Sequence, residues 1–357
     1  MRTLVISDLH LGAHSGRDVL RETPRRQGLL RAARECDRLI LLGDVIELRH
    51  GPVRDALAVA QTPLTELGAA VGSDREIVVM AGNHDHDLLD PWFERRGRRA
   101  APAPLGLSAV ADTRRGEPLA TLAGWLGAGR VRVVYPGLWL RDDVYATHGH
   151  YADAHLTMPT LERLAAGVMN RVAGLAPEGP RSAEDYEAIL SPIYAWIHAL
   201  AQRLDPERGG HLHGGSVRGW QALSGPGRRG LRRRAMAVGY PAAVAGLNRL
   251  GLGPLRAELS GAALRRAGLR GFEEVLERLD VPAAYVIFGH THRAGPLPTD
   301  DPGEWRTARG ARLINTGCWV EEPSFIGSNP GTSPYRVGFA VWVGDDGPPE
   351  LVNLLDA

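Results

Sequence analysis

A mixed α/β fold built around parallel strands is what this sequence predicts, and three observations carry the prediction. Short runs rich in Val, Ile and Leu end abruptly in polar residues, as buried strands do where they feed loops at a sheet edge. Helical patterns separate the first three runs, which is the connection parallel strands need. Strand-like segments then return in the second half of the chain, which calls for a second sheet.

The elements follow in order. Leu4-Val5-Ile6 runs into Ser7-Asp8-Leu9-His10, and a helical pattern covers Val19 to Ala33. Leu39-Ile40-Leu41-Leu42 runs into Gly43-Asp44, followed by a second helical pattern over Val53 to Leu67. Ile77-Val78-Val79-Met80 runs into Gly82-Asn83-His84-Asp85, which completes a βαβαβ order. Strand-like pieces follow at Val131 to Tyr135 and Leu138 to Arg141, then Val144-Tyr145-Ala146 runs into Thr147-His148-Gly149-His150. Tyr285-Val286-Ile287-Phe288 runs into Gly289-His290-Thr291-His292, and further strand-like pieces stand at Arg312 to Asn315, Val337 to Val343 and Glu350 to Leu354. The stretch between His150 and the Tyr285 run is rich in Ala, Leu and Arg with helical spacing. The expected organisation is therefore a core of residues 1–150 and 282–357 interrupted by a helical insertion, residues 151–281, that is a candidate cap or lid.

Composition bounds the function. With 44% hydrophobic and 23% charged residues in 357, the chain can bury a large core, and its formal net charge of +1 lacks the basic excess of a dedicated nucleic-acid binder. Every basic Lys/Arg position is Arg, which coding bias explains. The two cysteines, Cys36 and Cys318, form no CxxC pair, so neither a disulfide framework nor a thiolate metal site is expected, and a reducing cytoplasmic setting is the default. The longest nearly apolar stretch, Ala235 to Leu247, holds Gly239 and Pro241 and is too short to span a bilayer. It follows a cluster of Arg228, Arg229, Arg232, Arg233 and Arg234, a juxtaposition that suits contact with an anionic membrane surface, although packing against the helix at Ile189 to Leu204, with Tyr194 and Trp196 in the core, is the simpler expectation.

The polar residues at the strand ends carry the chemistry. Imidazole, carboxylate and amide oxygens together suit Mn²⁺, Fe²⁺ or Zn²⁺, and the neighbouring glycines let the backbone turn tightly enough to make them converge. His148 and His150 compete for one ligand position. Glu47 and His50 follow Asp44 closely enough to reach such a site, but a supporting or surface place is expected for them. His86 and Asp87 are expected at an exposed mouth, and His211 and His213 in a glycine-rich loop outside any metal site.

The ordered blocks Asp8-x-His10, Gly43-Asp44, Gly82-Asn83-His84-Asp85, His148-Gly149-His150 and Gly289-His290-x-His292 resemble those of the calcineurin-like metallophosphoesterase superfamily. That resemblance implies a four-layer α/β/β/α sandwich and a dinuclear centre, with one metal held by Asp8, His10, Asp44 and His292 and the other by Asp44, Asn83, His148 and His290. Asp44 then bridges the cations, Mn²⁺ by preference, with Fe²⁺ or Zn²⁺ as alternatives. A hydroxide held by the metals is the implied nucleophile on phosphorus. His84 is the implied acid for the leaving oxygen, with Asp85 orienting its ring.

The substrate is a phosphate ester of open class: a monoester, a diester or a pyrophosphate. Gly43-Asp44-x-x-Glu47 and a helical insertion resemble the branch that cleaves UDP-diacylglucosamine, which favours a nucleotide- or lipid-linked diphosphate, while His84 stands where that branch carries Arg. A broad phosphodiesterase is the alternative within the family. A non-catalytic metal-binding scaffold is the alternative outside catalysis, and the presence of His84 argues against it.

Overall fold

Continuous apolar runs become strands that are covered on both faces. β1 (Thr3–Ile6) and β2 (Arg38–Leu42) are buried along their whole length, and β3 (Glu76–Met80) along all but its first residue. Burying each such aliphatic chain contributes about 1.5–3 kcal/mol, so these strands anchor everything attached to their ends. The computed structural model describes residues 1–127, 130–157, 160–176, 178–203, 231–249, 253–256, 258, 260–327 and 329–356.

The chain divides into two compact units. One comprises Met1–His150, Ile197–Pro206 and Val281–Ala357, and the other Tyr151–Trp196 and Glu207–Asp280. In the first, β1, β2 and β3 pair in parallel, linked by α1 (Thr23–Glu35) and α2 (Val53–Val71), and the short helices α3 (Asp90–Gly97) and α4 (Pro118–Trp125) follow β3. The sheet is extended on one side by β5 (Val131–Tyr135) and the two-residue β4 (Ala109–Val110), and on the other by β10 (Phe339–Val343) and β11 (Glu350–Asn353), giving seven strands in the order β11-β10-β1-β2-β3-β5-β4. A four-stranded sheet of β6 (Gly137–Arg141), β7 (Val144–Thr147), β8 (Tyr285–Phe288) and β9 (Arg312–Asn315) accompanies it. The two sheets are tied directly: buried Arg38 on β2 donates to the Leu140 carbonyl of β6 at 3.1 Å.

The strand-like pieces are therefore shared out differently from the expectation. β5, β10 and β11 join the first sheet rather than the second, while β7 and β8, which carry histidine-bearing ends, belong to the second. Strand pairing depends on partners distant in sequence, and local pattern does not reveal which sheet a strand joins.

The second unit is helical among its described residues: α5 (Leu161–Val172), the first part of α6 (Ala183–Arg203), α7 (Leu231–Arg249) and α8 (Gly261–Arg278). Thr160 and Ser260 cap α5 and α8 by accepting from the backbone N–H three residues on, each at 3.1 Å. The α6 helix changes unit along its length. Its end, from Ile197, belongs to the first unit, where Gln202 accepts from Val53 N and donates to Gly51 O, both at 3.0 Å.

Tyr194 is buried but Trp196 is 56% exposed, so only one of the two aromatic residues expected in the core is there. They are two positions apart, and on a helix two residues so spaced face different ways. His211, His213, Arg228 and Arg229 lie outside the described residues, as do the side chains of Arg232, Arg233 and Arg234. Among the described residues no helix is long and apolar enough to cross a membrane.

Candidate metal centre

Each side chain singled out by the sequence stands where a strand stops. Asp8 and His10 follow β1, Asp44 follows β2, Asn83 and His84 follow β3, His148 follows β7, and His290 and His292 follow β8. Six described non-glycine residues have positive φ, and five of them are Asp8 (54°), His10 (44°), Asp44 (51°), His290 (67°) and His292 (57°). A left-handed conformation costs an L-residue about 1–2 kcal/mol, and Asp, Asn and His bear it best. Backbone bonds hold the bends: Asp8 N donates to Gly43 O at 3.1 Å, His10 N to Asp44 O at 2.9 Å, and Gly289 N to His148 O at 2.9 Å. Gly82 lies so close that a Cβ there would strike the Asp44 carboxylate and the His148 ring.

The structure brings eight of the predicted residues into one cluster. The ligand-competent atoms of Asp8, His10 and His292 lie within 4.8 Å of one another, as do those of Asp8, Asp44 and His148, and those of His10, Asp44 and His84. His10 Nε2 lies 3.0 Å from His292 Nε2 and 3.6 Å from Asp44 Oδ2. His148 Nε2 lies 3.3 Å from Asp44 Oδ2, while its Nδ1 faces the Leu42 carbonyl at 2.9 Å, a bond that fixes the ring and turns Nε2 towards Asp44. His290 enters through Asn83, whose amide lies 3.1 Å from His290 Nδ1.

One end of the Asn83 amide faces three groups: His290 Nδ1 at 3.1 Å, His148 Nε2 at 3.2 Å and Asp44 Oδ2 at 3.2 Å. That end can meet them as NH₂, with the other end accepting from Arg49 Nη1 at 3.1 Å, or as a carbonyl oxygen sharing a cation with them. The donor set therefore fits a divalent ion. The site's electrostatics agree, because it is short of positive charge. Burial opposes charge on His10, yet the Glu47 hydrogen bond and the carboxylates of Asp44, Glu47 and Asp8 outweigh it and raise its pKa to about 9. His148, likewise opposed by burial, is raised to about 10, chiefly by Asp44. Asp44 itself, despite burial, is held well below the usual carboxylate range by His148, His84 and His10.

His148, rather than His150, occupies the cluster. The His150 ring turns away and its Nε2 meets the Tyr135 hydroxyl at 3.0 Å. Asp85 departs from its expected role of orienting His84. Its carboxylate instead accepts from the backbone N–H of Gly82 (2.7 Å), Val45 (2.7 Å), Asp44 (3.2 Å) and Ile46 (3.3 Å), so it splices the Asp44 loop to the Asn83 loop. The residue that orients His84 is Glu47, which is 1% exposed. Glu47 Oε2 lies 2.8 Å from His84 Nδ1 and 2.9 Å from His10 Nδ1, and a carboxylate only accepts, so both rings donate to it through Nδ1. The signal for this was present in Gly43-Asp44-x-x-Glu47, but a carboxylate's partner three dozen residues away is not a local property.

Asn315, the last residue of β9, donates to Gly289 O at 2.8 Å and Thr291 Oγ1 at 3.0 Å, and so braces the loop that bears His290 and His292. His86 is 2% exposed rather than at an open mouth, with its ring stacked on Phe93. Asp87 is also largely covered and lies 3.5 Å from His198.

Paired sheets whose strand ends converge on imidazoles, carboxylates and one amide form a candidate metal centre. Residues 1–173, just under half of the chain, match the family model described as calcineurin-like phosphoesterase, which supports a place in the metallophosphoesterase superfamily. The match holds Asp8, His10, Asp44, Asn83, His84 and His148; His290 and His292 lie beyond it and join the site from β8. No curated protein matches the chain. The two sheets flanked by helices are the sandwich of that superfamily, and the family is dinuclear and metal-dependent.

Proposed function

We propose that this phosphoesterase holds one divalent ion with Asp8, His10, Asp44 and His292 and a second with Asp44, Asn83, His148 and His290, and uses His84 to assist the leaving group. The observation that carries the reading is the approach of His10, His148 and Asn83 to a single carboxylate, Asp44, each with a ligand-competent atom turned inward. Bound there, two divalent cations, Mn²⁺ by preference, supply Lewis-acid charge to phosphoryl oxygens and lower the pKa of water to make a nucleophile.

The protein's own groups do the rest. Glu47 takes the Nδ1 protons of His10 and His84, which fixes each ring and leaves Nε2 as its working atom. His84 is part-exposed, and because its Nδ1–H is held by Glu47 it gives a proton from Nε2 to a departing alkoxide or phosphate oxygen only as the imidazolium, a form that burial disfavours and the Glu47 and Asp44 carboxylates favour. Asp85 holds the two loops that position Asp44 and Asn83.

The Glu47 spacing and the presence of a helical unit favour a nucleotide- or lipid-linked diphosphate over a phosphoprotein. The test is to load purified protein with Mn²⁺ and offer aryl monoesters, aryl diesters and nucleoside diphosphate esters. Two metal ions per chain and turnover of at least one class are expected. Full occupancy with no turnover of any class would leave a metal-binding scaffold instead.

A further inference from the structure

The segment after β9, which bears Glu322, Phe325 and Tyr335, runs against the loops that bear Asp8 and His292. Its course is pinned by Trp319 N donating to Asp8 O at 2.9 Å, Glu321 N to Arg17 O at 2.9 Å, and Ala294 N to Pro334 O at 2.8 Å, where Ala294 stands two residues past His292. Glu322 is half-buried, and among the described residues its carboxylate accepts no hydrogen bond and joins no ion pair. Burial pushes its carboxyl up against the pull of His10 and Arg17, so it lies within electrostatic reach of the metal side of the cluster. A single helical turn, Pro323–Ile326, follows and bears Phe325. The Phe325 ring stacks on Tyr335 with centroids 5.3 Å apart and planes 28° from parallel, and both residues remain half-exposed.

A half-exposed pair of flat rings on a segment pinned to the loops of a polar metal site has a use for a planar partner, because stacking is insensitive to edge chemistry. A carboxylate with no donor among the described residues suits vicinal hydroxyls, as acidic groups do on a ribose. An acyl chain would instead call for a longer aliphatic wall.

We propose that Glu322, Phe325 and Tyr335 form a nucleoside-binding rim: a base stacks on the aromatic pair, ribose hydroxyls donate to Glu322, and the phosphate is directed to the metal cluster. The proposal rests on the phosphoesterase reading and narrows its substrate class to nucleotides.

The test uses the full chain loaded with Mn²⁺. Adenosine 5′-monophosphate, its 2′-deoxy analogue and ribose 5-phosphate are compared as competitors of aryl phosphate hydrolysis, and their binding is measured directly by equilibrium dialysis. The nucleotide is expected to bind roughly ten- to a hundred-fold more tightly than ribose 5-phosphate, the range that stacking of one base supplies. Phe325→Leu and Tyr335→Leu each erase most of that preference, Tyr335→Phe keeps it, and Glu322→Gln narrows the gap between ribo and deoxyribo forms. Equal binding of nucleotide and ribose 5-phosphate, or variants that weaken both alike as a merely structural pair would, overturns the rim. Absence of aryl phosphate turnover with the nucleotide preference intact instead counts against the hydrolytic reading, so the two failures are distinct.

Discussion

Two buried carboxylates flank His84, and they are used in opposite ways. Glu47 faces side chains, taking the Nδ1 protons of His84 and His10 at 2.8 and 2.9 Å. Asp85, next to His84 in the chain, faces backbone, taking four N–H groups from two loops. The electrostatics differ accordingly. Burial would raise Glu47, but His84, His50 and His10 hold it well below the usual carboxylate range; Asp85 is raised, first by burial and then by Asp44. One carboxylate orients two histidine rings of the cluster, and the other is scaffolding that fixes where the loops sit. Adjacency in sequence says little about which is which.

The largest effect is expected at Asp44, the carboxylate proposed to lie between the two cations. Asp44→Asn removes the charge between the two cations and should empty both sites together, with turnover falling by orders of magnitude. Retention of one ion in metal analysis would show that Asp44 serves a single site. His84→Ala should keep both ions and lower turnover of a poor leaving group by about 10²–10⁴-fold, the range of one lost acid. An activated aryl leaving group should suffer less, and equal losses on both would remove the proton-donor role.

The Glu47 and Asp85 contrast is sharpened by a pair of variants. Glu47→Gln should reduce metal affinity or turnover by about 10–100-fold while leaving urea unfolding little changed. Asp85→Asn should cost about 1–3 kcal/mol of unfolding free energy, because an amide NH₂ is turned on backbone donors, with metal stoichiometry preserved in the folded fraction. Exchange of these two outcomes would reverse the assignment.

The smallest effect is with pH. His10 and His148, raised to about 9 and about 10, hold protons that cations must displace. Apparent metal affinity should therefore rise with pH below that range, and binding should release protons, measurable as a buffer-dependent heat. Binding heat independent of the buffer would contradict it.

Much of the site was legible because it is local. An apolar run of four or five residues is a strand, a glycine after it allows a tight turn, and a His, Asp or Asn at that turn is placed at the strand's end, as Gly43-Asp44 and Gly82-Asn83 are. The parts that were not legible are pairings: the partner of Glu47, the backbone targets of Asp85, the turn of His150 towards Tyr135, and the covering of His86 by Phe93.

What the sequence by itself determined, then, is which residues stand at the ends of buried strands, since hydrophobic period and turn chemistry act over a few residues. Only the tertiary structure decided that β7 and β8 belong to one sheet and β1, β2 and β3 to another, so that their ends meet at Asp44. It also decided which carboxylate governs His84. The reason is physical: hydrogen bonds and ion contacts are selected by distance in space, and residues far apart in the chain come within 3 Å only once two sheets have packed.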